Sequence, residues 1–278
     1  YKHGSVTTLV CNSGYSMTGT NTGFTCNNGS WQNGTAGNCI VDVMTITSRG
    51  GTTVSIPASA KKVIIKAYGG EGTGNNGGNG GYTYGEYTPG VRVLYVRIDF
   101  RGDNSTCSVG VKGGMGGDAA MVSTSSAFTD SSDYRSSNLL IVAGGGGGSP
   151  GTGSYAGGYG GGGNNSGSSG SAHHDGTSIG CYVVGGGTLS KAGVNAYGNS
   201  GNGYYGGNSP NSSSSDIVCG GGGGGGYYGG ASGETIGSSK CYGSGGGGSG
   251  YCNTNKMSGC TGTTGSERGN AKVVISWE

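Results

Sequence analysis

Charge is scarce in this chain of 278 residues: only 10% are Asp, Glu, Lys or Arg, and fifteen cations against thirteen anions leave a net +2. No basic run exists to follow a phosphate backbone, which argues against nucleic acid as a partner. Long apolar runs are absent too. The longest, Leu139-Leu140-Ile141-Val142-Ala143, is far too short to cross a bilayer, so no membrane insertion is expected. Proline is down to 4 residues, and no stretch carries a convincing helical period. With 31% hydrophobic residues, any side-chain core is small for the length and needs other support. Close C-x-x-C pairs are missing among the nine cysteines, which favours disulfides over zinc and a location outside the reducing cytosol.

What the chain has instead is glycine, 72 residues of it. Gly and Pro together reach the level at which aperiodic chains are usually disordered. Against disorder stand apolar, β-branched segments with a period of two, the mark of half-buried strands. Val63, Ile65 and Ala67 alternate with Ile64 and Lys66. Leu94, Val96, Ile98 and Phe100 share one face of 91–100, and Ala271, Val273, Ile275 and Trp277 share one face of 271–277. Further strands are expected at 43–48, 52–56, 82–87, 107–111, 119–123 and 138–143. The fold class is therefore all-β, a two-sheet sandwich.

Glycine runs crowd 143–270, at 144–148, 160–163, 185–187, 220–226 and 245–248. They lack the Gly-X-Y register and prolines of collagen. The run Cys219-Gly220 to Gly226-Tyr227-Tyr228 is pinned at both ends, and it poses the choice between tether and built structure. Built structure is expected: an inserted layer of polyglycine helices of the polyproline II type, bonding to one another because no β-carbon keeps them apart. A single such helix does not hold, since ordering glycine costs more than its hydrogen bonds return. Cys181, Cys219, Cys241, Cys252 and Cys260 lie near run ends, where disulfide staples belong.

Five N-x-Ser/Thr sequons, at Asn28, Asn33, Asn104, Asn164 and Asn211, agree with a secretory route and N-linked glycans. The chain starts at Tyr1 without Met or signal peptide, so it is expected to be a processed or partial product. Arg101-Gly102-Asp103 spells an adhesion tripeptide between two expected strands, though an ordinary Gly-Asp-Asn turn there is the preferred reading. Residues 113–121 fit one copy of a calcium nonapeptide repeat, which needs stacked copies to work. His173-His174-Asp175 sits in a Gly/Ser loop, and a surface loop is preferred over a metal site. G-x-S-x-G occurs at 147–151 and 176–180, without the strand–turn–helix that a nucleophile elbow requires. No catalytic residue, cofactor or metal is assigned, and no enzyme is expected. Tyr204-Tyr205 and Tyr227-Tyr228 are read first as shields of the glycine backbone and second as ligand-stacking rings.

Two resemblances add to this. In residues 1–42 the order Tyr1, Gly4, Val6, Cys11, Gly14-Tyr15, Gly19, Cys26, Gly29, Trp31, Cys39 resembles the later part of a sushi (complement control) module. That resemblance implies pairing of Cys11 with Cys39 and a mate for Cys26 upstream of Tyr1 or on a neighbouring chain. In residues 43–278, TTVSIP (52–57), KKVIIKAYGGEGTG (61–74), VRVLYVRIDF (91–100), GGMGGDAAM (113–121), NLLIVAGGGGG (138–148), CGGGGGGGYYGG (219–230) and GNAKVVISWE (269–278) follow in an order that resembles the extracellular glycine-rich domain of anaplastic lymphoma kinase and leukocyte tyrosine kinase receptors. It implies a β-sandwich carrying a glycine-helix layer, and it names no catalytic residue. All nine cysteines, Cys107 included, are expected in disulfides. The function expected is an extracellular structural subunit of a fibre or coat that associates with itself. A monomeric adhesion module binding a glycan or cell-surface protein is the alternative.

Overall fold

Val63, Ile65, Ala67, Val273 and Ile275 are fully buried in the computed structural model, and the residues between them are only half-buried. The period of two thus places two neighbouring strands as read from the sequence. The structure describes residues 6–7, 15–18, 23–27, 30–32, 34, 38–41, 43–58, 60–103, 112–126, 137–151, 155–173, 184–195, 200–209, 219–233, 235–236 and 241–278. In the N-terminal part, β1 (Val6–Thr7), β3 (Phe24–Asn27) and β4 (Ser30–Gln32) form one small sheet, and β2 (Tyr15–Thr18) pairs with β5 (Asn38–Val41).

From residue 43 onward two five-stranded antiparallel sheets face each other. One runs β17–β9–β8–β18–β6, built from β6 (Val43–Ile46), β8 (Val63–Tyr68), β9 (Gly80–Tyr87), β17 (Met257–Glu267) and β18 (Lys272–Trp277). The other runs β16–β12–β11–β10–β7, built from β7 (Gly50–Ser55), β10 (Val93–Asp99), β11 (Ala119–Ser123), β12 (Leu139–Ala143) and β16 (Tyr251–Cys252). Val54, Leu94, Val96, Val122 and Ile141 from this sheet meet Ile46, Val63, Ile65, Val273 and Ile275 from the first in one core. β13 (Ala172–His173), β14 (Thr235–Ile236) and β15 (Cys241–Gly243) make a third, short sheet.

Two details depart from the alternation. Phe100 lies beyond β10 with φ of 81° and joins a second cluster, with Tyr204 and Tyr228, instead of the face shared by Leu94, Val96 and Ile98. A bulky residue with positive φ is strained, and here it turns the chain out of the sheet. The longest strand, β17, had no apolar alternation to announce it: its sequence is MSGCTGTTGSE. It is held by pairing with β9 across two register shifts. The strand expected at 107–111 lies outside the described residues.

The sandwich positions everything that follows. The β8–β9, β10–β11 and β12–β16 connections all leave from one end of it, and all three carry glycine.

Candidate functional site

The chain leaving β12 at Ala143 shows how the glycine segments are bound. Gly144 and Gly147 donate their N–H groups to Gly161 and Gly158; Gly145 and Gly148 donate to Gly225 and Gly222; Gly146 and Ser149 donate to Gly70 and Thr73. The same residues accept from Gly81 and Gly78, from Gly248 and Gly245, and from Gly117 and Gly114. All these bonds span 2.7–3.1 Å. Partners change with every residue and recur every third, so 144–149 is ringed by six segments: 158–161, 222–225, 70–73, 78–81, 245–248 and 114–117. None of its N–H groups bonds within the run.

Segment 221–226 repeats the arrangement. It donates to 243–246, 114–117 and 204–207, and accepts from 230–233, 145–148 and Gly102. Segment 244–249 donates to 145–148, 228–231 and 168–171, and accepts from 158–161, 224–227 and Gly187. The three central segments therefore touch one another and share a single outer ring, the geometry of hexagonally packed rods. The stretch that resembled a tether, 219–233, is buried at every residue.

Only glycine fits the contacts. A β-carbon on Gly146 would collide with the carbonyl of Gly78, on Gly224 with that of Gly145, and on Gly248 with that of Gly225. The hydrogen standing in that place points at a carbonyl oxygen, so each collision marks a weak C–H···O contact in the native packing. Side chains appear where they can be satisfied. The Ser249 hydroxyl accepts from the Tyr228 N–H at 3.0 Å, and the Ser244 hydroxyl donates to the Tyr155 carbonyl at 3.1 Å.

Tyrosines weld this lattice to the sandwich. Tyr204, Tyr227 and Tyr228 pack with Phe100, Met121, Leu139 and Val142 against the outer face of the β7-containing sheet. Tyr227 stacks on Tyr251 with centroids 4.3 Å apart, and Phe100 meets Tyr205 edge-on at 4.9 Å. This explains why β11 and β12 are buried on both faces. The Thr83 hydroxyl is a second weld: it donates to the Val142 carbonyl at 2.7 Å and accepts from the Gly163 N–H at 2.8 Å.

Sulfur holds the ends. Cys252 on β16 is bonded to Cys260 on β17, with α-carbons 6.0 Å apart, and Cys219 is disulfide-bonded at the head of its glycine run. Cys26 is a buried free thiol within this chain. Cys11, Cys107 and Cys181 lie outside the described residues, as do the side chains of Cys39 and Cys241.

Among the sequons, only Asn164 is described. Its amide donates to the Cys252 carbonyl at 3.1 Å and its oxygen accepts from the Cys252 N–H at 2.9 Å, an anchor that sequence reasoning missed. Asn28, Asn33, Asn104 and Asn211 lie outside the described residues, with 174–183 and its second G-x-S-x-G. In the first match, Ser149 is fully buried in the lattice.

The adhesion tripeptide Arg101-Gly102-Asp103 does not project freely, because its central residue is held by the lattice. Gly102 is buried, donating to Gly223 and accepting from Gly116. Arg101 pairs with Asp103 at 3.6 Å and with Asp118 at 3.9 Å. Asp118 also meets Arg49 at 3.2 Å. Burial pushes the Asp118 carboxyl up, against the pull of Arg49 and Arg101. The segment that fitted a calcium repeat thus gives its glycines to the lattice and its only carboxylate to arginines.

The outer face of the other sheet is open. Tyr68 and Tyr82 lie side by side across β8 and β9, centroids 5.0 Å apart, and the Lys272 ammonium sits 4.5 Å above the Tyr68 ring. Lys66 pairs across the strands with Tyr84, whose hydroxyl donates to Glu86 at 2.6 Å. That bond, with burial, pushes the Tyr84 phenol up to about 12. No helix is long and apolar enough to cross a membrane among the described residues. Comparison with family models and with curated proteins returned no match.

Proposed function

We propose that this is an extracellular structural protein, a subunit of a secreted or cell-surface fibre or coat that associates with itself. The observation that carries the reading is the sulfur-stapled lattice. Segments from three connections are cross-bonded into one body, fused to a sandwich by buried tyrosines, and pinned by Cys219 and by Cys252–Cys260. Disulfides of this kind belong outside the reducing cytosol. A body whose interior is saturated backbone has the character of a rigid spacer. In this reading each glycine run is a polyproline II-type helix of three residues per turn, a repeat consistent with the three-residue change of partners. Residues 1–42 serve as a sushi-like spacer whose Cys26 meets a cysteine of a neighbouring chain, and N-linked glycans keep the surface soluble.

Electron microscopy of the native material tests the proposal. Repeating filaments or sheets support it; dispersed particles of one size at every concentration overturn it. The second reading, recognition of a glycan or cell-surface protein by a monomer, is favoured by the open face bearing Tyr68, Tyr82, Lys66 and Lys272. Flat rings beside cations suit a sugar bearing acid groups.

A further inference from the structure

β7 is an edge strand, and its bonding parity is fixed by one contact. The Ile56 N–H donates to the Arg92 carbonyl at 2.8 Å, one step beyond the registered pairs Ser55↔Val93 and Val54↔Leu94. In an antiparallel ladder, opposed residues alternate between exchanging both backbone bonds and exchanging none. Val54, Thr52 and Gly50 therefore bond to β10. Gly51, Thr53 and Ser55 turn their N–H and C=O groups away from the sheet, and all three are exposed.

The other three edges of the sandwich are guarded. β17 is interrupted by two register shifts and by Gly259 and Gly265 at positive φ, and Gly265 donates to the Gly160 carbonyl at 2.9 Å. β16 has both backbone groups of Cys252 taken by Asn164. β6 is four residues long and follows β5 with a single residue between them. β7 is the least guarded: it carries no charge, no proline and no break in register across its six residues, and its one glycine at positive φ, Gly50, stands at the strand's first position, outside the Gly51–Ser55 stretch.

We propose that β7 pairs antiparallel with β7 of a second copy about a two-fold axis at Thr53, joining two five-stranded sheets into one. The inference rests on the self-association reading and names the surface that performs it. Identical strands meeting about such an axis match donor to acceptor without further adjustment: Thr53 faces Thr53, and Gly51 faces Ser55. A net charge of +2 offers little repulsion. One strand edge buries less than a stable dimer requires, so the pairing is weak singly and gains strength in an array.

Cross-linking reads the register. Opposed residues that exchange bonds have α-carbons about 5.5 Å apart, within the span of a disulfide. Under mild oxidation Thr53→Cys should form covalent dimer at least about tenfold faster than Ser55→Cys, whose thiols lie apart in this register. Mixing Gly51→Cys with Ser55→Cys chains should give the mixed dimer; a β-carbon at Gly51 meets nothing, so that variant folds. Sedimentation of the unaltered chain runs beside these. If it assembles while Thr53→Cys cross-links no faster than Ser55→Cys, the β7 edge is wrong and self-association stands. If it stays monomeric and nothing cross-links, both readings fall.

Discussion

The sandwich and the glycine lattice are stable for opposite reasons. Between the sheets, Ile65, Leu94 and Ile275 fill space with branched side chains, and removing atoms leaves a void. Between the lattice segments the backbone itself is the packing surface, and adding an atom drives a carbonyl away. The sandwich draws on apolar area, whereas the lattice draws on hydrogen bonds. Such a bond returns about 0.5–1.5 kcal/mol net, while ordering each residue takes about 1–2 kcal/mol. A lone glycine run loses that contest. A segment ringed by six others uses both backbone groups of every residue at once, so the lattice forms together or not at all.

Paired substitutions sharpen this contrast. Ile65→Ala in the sandwich should lower unfolding free energy by about 2–5 kcal/mol in denaturant titration. Gly224→Ala in the lattice, one carbon larger instead of three smaller, should cost about 3 kcal/mol. Gly51→Ala, on the open edge, should change nothing or add about 0.5 kcal/mol. Equal tolerance at Gly224 and Gly51 would erase the distinction. Replacing Cys252 and Cys260 by serine should cost about 2–3 kcal/mol, read as a fall in Tm.

The smallest expected effect lies on the open sheet face. The Tyr84 phenol is raised from 10 to about 12, chiefly by its bond to Glu86. Its contribution to stability is complete below pH 10 and is lost as pH rises toward 12. Tyr84→Phe should flatten Tm against pH in that window, lowering it slightly at neutrality, where the bond to Glu86 is intact, and leaving it unchanged near pH 12.

How much of this was legible depended on which group does the packing. Side-chain packing writes a period into the sequence, so Val63, Ile65, Ala67 and the face ending at Trp277 could be read directly. Phe100 broke the pattern because its backbone is turned by contacts with Tyr204 and Tyr205, which no local window contains. β17 is held by pairing and by Cys252–Cys260, and neither leaves an apolar mark. The buried run after Cys219 was legible because seven consecutive glycines stand out. Segments 70–73, 78–81 and 114–117 belong equally to the lattice, yet the first two drew no reading of their own and the third showed only one copy of a calcium repeat. Their signal is glycine recurring where the chain faces another segment, which shows only once the neighbours are known. Tyr227 and Tyr228 were expected to shield glycine backbone; they also cover the outer face of a sheet.

Hydrogen exchange with the disulfides intact tests the central claim most directly. The account predicts that the N–H groups of 144–149 and 221–226 exchange as slowly as those of Ile65 and Val273. Exchange at the rate of an unstructured peptide across those glycines, with β8 and β18 still protected, would contradict it.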